Sequence, residues 1–534
     1  MELIPRLLLI FVKFVAIFAS ALQSAYIWAC GRRIRPYGLP ASINPLLVLS
    51  IQELRTRLCR RQITAVDLVD AYIDRVKLVN SRLNAVVSER FAQALRDAAT
   101  VDERIAAAGE NAAQLFERQP LLGMPVTVKE SCALANMPFT VGSLARSELK
   151  ATADGVVVAR IRDAGAIPLL VSATPEYCYS TDTDTLLNGR CLNPFDFERT
   201  PGGSSGGEGA LIGAGASLFG IGSDIGGSIR IPSFFCGIFG HKPTGGVVTP
   251  AGHFPDSSDA DFQQYLVVGP MSRFAVDLPQ LLELMAGEQA VQLRLHEPLQ
   301  LKQLQVHYAL GFQGLNGWMH QQVEPEIKAS ILKAVEHLQK LEISVHQAKL
   351  SGFDNSLEIA LSGIARLSQM PFVLDAGPAA GAESKVRETL KQLMQSLYGK
   401  SCYTTNALIF DLMRRCNAFM SVQKLEKYHR EALALTRELT QLLGENGVLL
   451  FPTMHAPAPK HGWTPLQLWG VDYTLLFNVL GLPATHVPMG LNRKGLPIGF
   501  SVIAAPYQDR LCLRVAVELE RAFGGWQSLS QIAK

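Results

Sequence analysis

The residues of this chain best suited to chemistry are serines and a lysine around a glycine-dense stretch. Residues 200–232, TPGGSSGGEGALIGAGASLFGIGSDIGGSIRIP, contain Ser204, Ser205 and Ser228 among eleven glycines. Lys129 lies upstream in GMPVTVKES, between an apolar strand-like run and a polar loop. A glycine-dense backbone can turn sharply and bring its N–H groups close to a small group. Because serines and a neutral lysine can perform acyl transfer without histidine, this set predicts a hydrolytic site.

The sequence motifs around these residues resemble those of the amidase signature family, which hydrolyses amides with a Ser-Ser-Lys triad. The resemblance is carried by GMPVTVKES, GGSSGG and DIGGSIRIP, and it continues in GPMSRFAVDL, FPTMHAPAP, GLPATHVPMG and GLPIGFSVIA. It covers about residues 50–523 and departs slightly at Glu130, where many members have aspartate. The resemblance implies that Lys129, Ser204 and Ser228 are the catalytic residues.

The resemblance also implies how this triad works. Ser228 attacks the amide carbonyl, Ser204 passes its proton towards Lys129, and the same serine then protonates the leaving amine. Lys129 can act as a base only when it is neutral, and burial favours this form because it disfavours the charged ammonium. Sequence spacing does not show that the lysine reaches the serines, so their proximity is an expectation that the fold has to meet.

Backbone N–H groups near the nucleophile are expected to form the oxyanion hole. Glycine leaves this turn free of side chains, so that consecutive amides can converge on the developing negative charge. The predicted donors are the N–H groups of Ile225, Gly226, Gly227 and Ser228.

Other residues of these motifs are expected to support the site. By resemblance, Asp224 and Arg230 brace the turn and Ser205 forms hydrogen bonds within the site, while a purely structural role for the first two stays open. Since the triad needs no histidine, the histidines of the neighbouring motifs are interpreted as structural. They are His241, His455, His461 and His486.

Two other interpretations of the glycines fail on their context. The sequence GGSSG fits the G-x-S-x-G nucleophile elbow of α/β-hydrolases, but that elbow follows an apolar strand. The preceding residues here are DFERTP, which contain charges and a proline. No G-K-S/T sequence follows the glycines, so a Walker A phosphate-binding loop is also excluded.

The composition is that of a globular protein with no evident metal or nucleic-acid site. The 534 residues are 48% hydrophobic and 18% charged, and a formal net charge of +3 is too small to indicate a nucleic-acid partner. The nine cysteines are scattered, without a C-x-x-C pair or zinc-ligand spacing, which indicates reduced thiols. We therefore expect no metal, no cofactor and no nucleic acid.

The predicted strands and helices around the candidate catalytic residues indicate an α/β fold. Residues 125–129 and 167–171 are predicted to be buried strands, as are the apolar runs 447–452 and 496–504. A helix over 156–164 precedes the second strand and makes an αβ unit. The resemblance implies the amidase-signature fold, a central mixed twisted β-sheet covered by α-helices on both faces, with an N-terminal hydrophobic helix.

Helical patterns occupy two other parts of the chain. Residues 50–60 have leucine spacing, 64–79 begins with a capping arrangement, and 88–108 is amphipathic. The region of about 295–445 is also helix-patterned and has little family likeness. It is interpreted either as an insertion that shapes the substrate side of the site or, equally, as a helical layer over the sheet.

The first residues indicate a membrane anchor. Residues 14–31 contain no charge, and a helix of this length spans about 27 Å, near the lower limit for crossing a bilayer. The arginines that follow favour a cytosolic body by one charge. A cleaved signal peptide and a monotopic insertion stay open as alternatives. The predicted organisation is an anchor over 1–35, a linker over 36–49 and a catalytic domain over 50–534; the membrane, whether an endomembrane or a lipid-droplet surface, is left open.

Three functions follow as hypotheses. The resemblance implies a membrane-anchored serine amidase that hydrolyses fatty-acid amides, N-acylethanolamines and primary fatty amides, to a fatty acid and an amine through an acyl-enzyme. The second is a general small-amide amidase or the amidase subunit of a glutamyl-tRNA amidotransferase, and the third is an inactive membrane scaffold. The anchor favours the first hypothesis, and the intact triad opposes the last. The expected partners are a lipid amide and the membrane; homodimers occur in the family, but no residue pattern identifies an interface.

Overall fold

The computed structural model describes residues 39–40, 44–312, 321–348, 351–377, 380–381, 384–396, 398–464 and 470–527. The predicted anchor over 1–35, with its hydrophobic helix, lies outside these residues. Within the described ranges, no helix combines the length and the apolar character needed to cross a bilayer. The predicted linker is described in part, and it contains a 3₁₀ turn at Pro45–Val48.

Among the described residues, eleven strands form one mixed sheet and two more form a separate ribbon. The strands are β1 (Val86–Glu89), β2 (Pro125–Lys129), β3 (Ile167–Ser172), β4 (Asp184–Thr185), β5 (Gly189–Arg190), β6 (Phe219–Asp224), β7 (Phe239–Lys242), β8 (Val267–Ser272), β9 (Gln305–Tyr308), β10 (Ser344–Gln347), β11 (Gly447–Pro452), β12 (Ala484–Leu491) and β13 (Pro497–Ala504). The order in the sheet is β1-β3-β2-β6-β8-β7-β12-β13-β11-β9-β10. Strand β2 lies between β3 and β6 and is parallel to both, so the predicted strands 125–129 and 167–171 are neighbours.

Both faces of this sheet are covered. Val448 and Leu450 of β11 pack into one hydrophobic core, whereas Leu449 and Phe451 of the same strand pack into a second. Because successive side chains of a strand point to opposite faces, the two cores lie on opposite sides of the sheet. This confirms the predicted α/β fold with a central mixed sheet.

The helices of the described residues surround this sheet. They are α1 (Ile51–Cys59), α2 (Ala65–Leu83), α3 (Phe91–Ala108), α4 (Ala112–Arg118), α5 (Val156–Asp163), α6 (Gly206–Gly213), α7 (Arg230–Cys236), α8 (Phe262–Tyr265), α9 (Leu278–Ala286), α10 (Pro325–Lys340), α11 (Ser356–Ala365), α12 (Lys385–Ser396), α13 (Thr405–Arg415), α14 (Val422–Leu443), α15 (Asp472–Val479) and α16 (Asp509–Phe523). The first two begin with capping boxes, Ser50 with Glu53 and Thr64 with Asp67, in agreement with the predicted helix starts.

Two stretches differ from their predicted structure. The helix expected over 88–108 begins only at Phe91, because the residues of β1 pair with β3 at the edge of the sheet. The region 295–445 is not purely helical, because β9 and β10 extend the sheet in parallel next to β11. Its helices α11 and α14 contribute to the second core. Both differences arise because strands pair with segments that are distant in the sequence. A local helix pattern carries no information about such pairing.

The glycine-dense stretch 200–232 combines loops with regular elements. It contains helix α6 and strand β6, and α7 begins at Arg230. The loops on either side of this helix–strand pair contain the candidate catalytic serines. One reason for the glycines is close packing, since a Cβ on Gly207 of α6 would lie 2.4 Å from the backbone nitrogen of Ala173, just after β3.

Candidate active site

Lys129 lies at the carboxyl end of β2, between two parallel neighbours, and is fully buried. Its Nζ lies 2.7 Å from Ser204 Oγ and 2.8 Å from Ser223 Oγ. Burial lowers the pKa of Lys129, because the ammonium loses its hydration, and the surrounding thiol and carboxyl groups oppose this only in part. The lysine and the first candidate serine, 75 residues apart in the chain, are therefore in direct contact.

Ser204 belongs to the loop that leads into α6. Its carbonyl oxygen accepts a hydrogen bond from Thr174 Oγ1 at 2.9 Å. The preceding residue fits closely, because a Cβ on Gly203 would lie 2.4 Å from the carbonyl oxygen of Ser180. These contacts fix the backbone of Ser204 against the segment that follows β3, which holds its hydroxyl beside Lys129.

Ser228 lies just before α7, and its backbone is joined to that of Ser205. The Ser205 N–H donates to the Ser228 carbonyl at 3.1 Å. Ser205 Oγ donates to the carbonyl of Ser223 at the end of β6, at 3.3 Å. Through these two bonds Ser205 connects the loop of Ser204 with the loop of Ser228, and the structure brings the two serine loops together in one buried region.

Asp224 and Arg230 form a buried ion pair below this turn. Arg230 Nη2 and Nε donate to the two carboxylate oxygens at 2.9 and 3.0 Å. Burial opposes the charge on Asp224, but the guanidinium outweighs it and holds the pKa of this carboxyl well below its ordinary value. Asn478 Nδ2 also donates to the carboxylate, at 2.9 Å. Since removing one partner of a buried pair typically costs about 3–5 kcal/mol, the pair is well suited to brace the turn.

The same carboxylate organises the backbone of the predicted oxyanion hole. It accepts the N–H of Gly227 at 2.7 Å and that of Ile229 at 3.1 Å. The Gly227 N–H therefore points at Asp224 and is already used, which reduces the predicted donor set. Glycine is required there, because its φ is +119° and a Cβ would lie 2.4 Å from Thr474 Oγ1. The donors that stay predicted are the N–H groups of Ile225, Gly226 and Ser228.

Ser223 and His253 complete the surroundings of Lys129, although neither stands out in the sequence. Ser223 Oγ lies 2.8 Å from Lys129 Nζ and 2.9 Å from His253 Nε2. Ser223 is the second-last residue of β6 and lies three residues before the glycine pair, a position that could identify it from the sequence. His253 carries no comparable signal, because it belongs to the loop between β7 and β8.

Glu208 of α6 is a buried carboxyl group near Lys129. The sequence motifs do not mark it as a site residue. It accepts hydrogen bonds from Ser172 Oγ at 2.7 Å and from Thr127 Oγ1. Burial raises the pKa of Glu208 to about 7, although the two hydroxyls and Lys129 favour the ionised form. Glu208 is therefore a second buried titratable group beside the candidate base.

The four histidines interpreted as structural are all buried or nearly so. His241 bonds to Asp509 of α16, and His486 bonds to a threonine that follows β11. Burial lowers the pKa of His455 to about 4, and His461 Nδ1 lies 3.4 Å from an Asp182 carboxylate oxygen. In the described part of the chain, none of their hydrogen bonds involves the candidate triad.

Comparison with known proteins identifies the family. A family model described as Amidase matches residues 67–513, and the chain belongs to this family. It is 39% identical over 505 residues to Fatty-acid amide hydrolase 2-A of Danio rerio, which covers 92% of this chain and 91% of that protein. It is 38% identical over 489 residues to Fatty-acid amide hydrolase 2 of Homo sapiens, which covers 90% of each. A solved structure titled Fatty acid amide hydrolase has a TM-score of 0.70 at 19% identity, over 91% of this chain and 87% of that chain, and supports the fold.

Proposed function

We propose that this chain is a serine amidase that hydrolyses fatty-acid amides, both N-acylethanolamines and primary fatty amides, through an acyl-enzyme. The observation that carries the proposal is the buried contact of 2.7 Å between Lys129 Nζ and Ser204 Oγ. It supplies a base of lowered pKa and a hydroxyl to carry protons, next to the loop of Ser228. The similarity to proteins named fatty-acid amide hydrolase 2 supports the substrate class.

In the proposed mechanism, protons move along Ser228, Ser204 and Lys129. Ser228 Oγ attacks the amide carbonyl carbon while its proton passes to Ser204 Oγ and the Ser204 proton passes to Lys129 Nζ. The proton then returns through Ser204 to the amide nitrogen, the C–N bond breaks, and the amine leaves an ester on Ser228. Water attacks this ester by the same proton path, which releases the fatty acid and restores the serine.

We propose that the enzyme acts at a membrane surface, where lipid amides are concentrated. Apart from the apolar segment 14–31, the support is helix α12, which leaves apolar side chains exposed to solvent. Its buried residues Thr389 and Gln392 are polar, whereas Val386, Leu390 and Met394 are exposed by 38%, 50% and 58%. These three lie four residues apart and therefore share one side of the helix. An exposed apolar stripe along one side of a helix is typical of a helix that lies in the membrane interface.

The substrate class is tested with a matched series of amides from acetyl to oleoyl, using the detergent-solubilised full-length protein. We expect kcat/KM to rise with acyl length, by about fourfold for each methylene that the site buries, because each contributes about 0.8 kcal/mol. Ser228→Ala serves as the blank. A preference for acetyl or aromatic amides would keep the Ser-Ser-Lys mechanism but contradict the fatty substrate.

The membrane surface is tested by flotation with vesicles of phosphatidylcholine and phosphatidylserine. We expect deletion of residues 1–35 to weaken binding without abolishing it, and Leu390→Glu with Met394→Glu to remove the remainder. The matched control is Leu332→Glu on α10, which is also exposed and should leave binding unchanged. If the shortened chain binds equally with and without the α12 substitutions, this helix does not contact the membrane.

A further inference from the structure

His253 is held next to the catalytic lysine by the backbone. The neighbouring residues on both sides are tied to the segment after β2: the Phe254 N–H donates to the Ser131 carbonyl, and the Ala133 N–H donates to the Gly252 carbonyl, both at 2.9 Å. The imidazole is buried. These bonds hold the backbone around His253 against the segment that follows Lys129, and from there the ring reaches Ser223.

The hydrogen bonds of this ring determine its tautomer. His253 Nδ1 lies 2.9 Å from the carbonyl oxygen of Pro255, which can only accept, so Nδ1 carries the proton. Burial, and then the nearby Lys129, lower the pKa of His253 to about 3, so the ring is neutral. Nε2 is therefore an acceptor, and the hydroxyl of Ser223, 2.9 Å away, donates to it.

The direction of the hydrogen bond from Ser223 to His253 determines how Ser223 can interact with Lys129. Since the Ser223 proton is used by His253, Ser223 Oγ can only accept from Lys129 Nζ at 2.8 Å. A neutral amine has two N–H groups and one lone pair, and with an N–H on Ser223 the lone pair is left for the Ser204 hydroxyl at 2.7 Å. A Ser223 hydroxyl without His253 would be free to donate to that lone pair and would compete with Ser204.

We propose that His253 is a positioning residue, which consumes the Ser223 proton and so directs the lone pair of Lys129 at Ser204. This inference rests on the proposed function, because it assigns the orientation of the base in the same reaction. His253 touches neither Ser204 nor Ser228 in the described hydrogen bonds, so it acts through Ser223 alone. The other titratable groups close enough to influence the pKa of the lysine are Cys178, Cys132, Asp224 and Glu208.

The test is a double-mutant cycle in the full-length enzyme, with oleamide as substrate and kcat measured across pH. We expect His253→Leu to lower the alkaline plateau of kcat by roughly 10- to 100-fold, the range found for residues that orient metal ligands, with KM unchanged. His253→Gln, which keeps an acceptor for the Ser223 hydroxyl, should recover most of the rate. In the Ser223→Ala background, His253→Leu should cause no further loss, because the residue through which it acts is gone.

Three outcomes overturn the inference. One is a wild-type plateau in H253L, the second is an equal loss on both backgrounds, and the third is no recovery in H253Q. If the wild type hydrolyses no amide of the series, the proposed function fails and the inference fails with it; an active wild type with an additive cycle removes only the role of His253. Melting temperatures identify any variant that loses its fold, and His253→Met, closer in volume, then replaces H253L in the cycle.

Discussion

Ser228→Ala is expected to reduce amide hydrolysis by roughly 10⁴- to 10⁶-fold, the range found when an acyl-enzyme nucleophile is removed. In the proposed mechanism Ser228 forms the ester, while Ser204, held on Lys129 at 2.7 Å, carries the proton. The same substitution should abolish covalent labelling by a fluorophosphonate, which reacts with an activated serine. Intact-mass measurement before and after labelling, with peptide mapping of the wild-type adduct, checks both expectations.

A matched control is available one turn along α7. Ser233 is also buried, and its Oγ donates to the Ile229 carbonyl at 2.8 Å, as a helix hydroxyl commonly does. Ser233→Ala should therefore keep both the rate and the label. If the label in the Ser228→Ala protein persists and maps to Ser204, the assignment of nucleophile and proton carrier is reversed.

Local rules explain why much of the fold follows from the sequence. The capping boxes at Ser50 and Thr64 and the apolar runs at 125–129 and 447–452 are each specified within a few residues, and each agrees with the structure. Helix ends need hydrogen-bond partners and buried strands need apolar side chains, and both requirements are visible in a few neighbouring residues. The contact between Lys129 and a serine of the glycine-rich stretch does not follow from such local signals. Its prediction depends on the resemblance to a family in which these distant residues form one triad.

The features that the sequence does not predict depend on contacts between distant segments. His253 reaches Ser223 across 30 residues, from a loop with no motif of its own. The strands β9 and β10 form because β11 offers an edge, in a region where the helix pattern dominates. The N–H of Gly227 looks free in a glycine-rich turn, but it is taken by Asp224, whose carboxylate needs donors once it is buried.

Replacing the base gives the second large effect. Lys129→Met is expected to lower kcat by about 10²- to 10⁴-fold, the contribution of a general base, and to remove the rise of the rate with pH. The sign follows from the mechanism: the active lysine is neutral, so the wild-type rate increases as the pH rises through its pKa. Because burial lowers that pKa, the increase should be complete below the ordinary lysine value of about 10.4. The measurement is kcat against pH for both proteins with oleamide.

A second buried lysine makes this test specific. Burial lowers the pKa of Lys242 on β7 to about 7, and its Nζ donates to the Pro243 carbonyl at 2.8 Å. An alkaline rise of the rate caused by Lys242 would therefore look similar, but Lys242→Met should keep the rise if Lys129 is the base.

Glu208→Gln tests the direction of the pKa shift independently. Without this nearby negative charge, the Lys129 ammonium is less stable, so the pKa of Lys129 falls and the rise of the rate should move to lower pH. A rate that is flat with pH in the wild type, with chemistry shown to be limiting, contradicts the role of a neutral lysine.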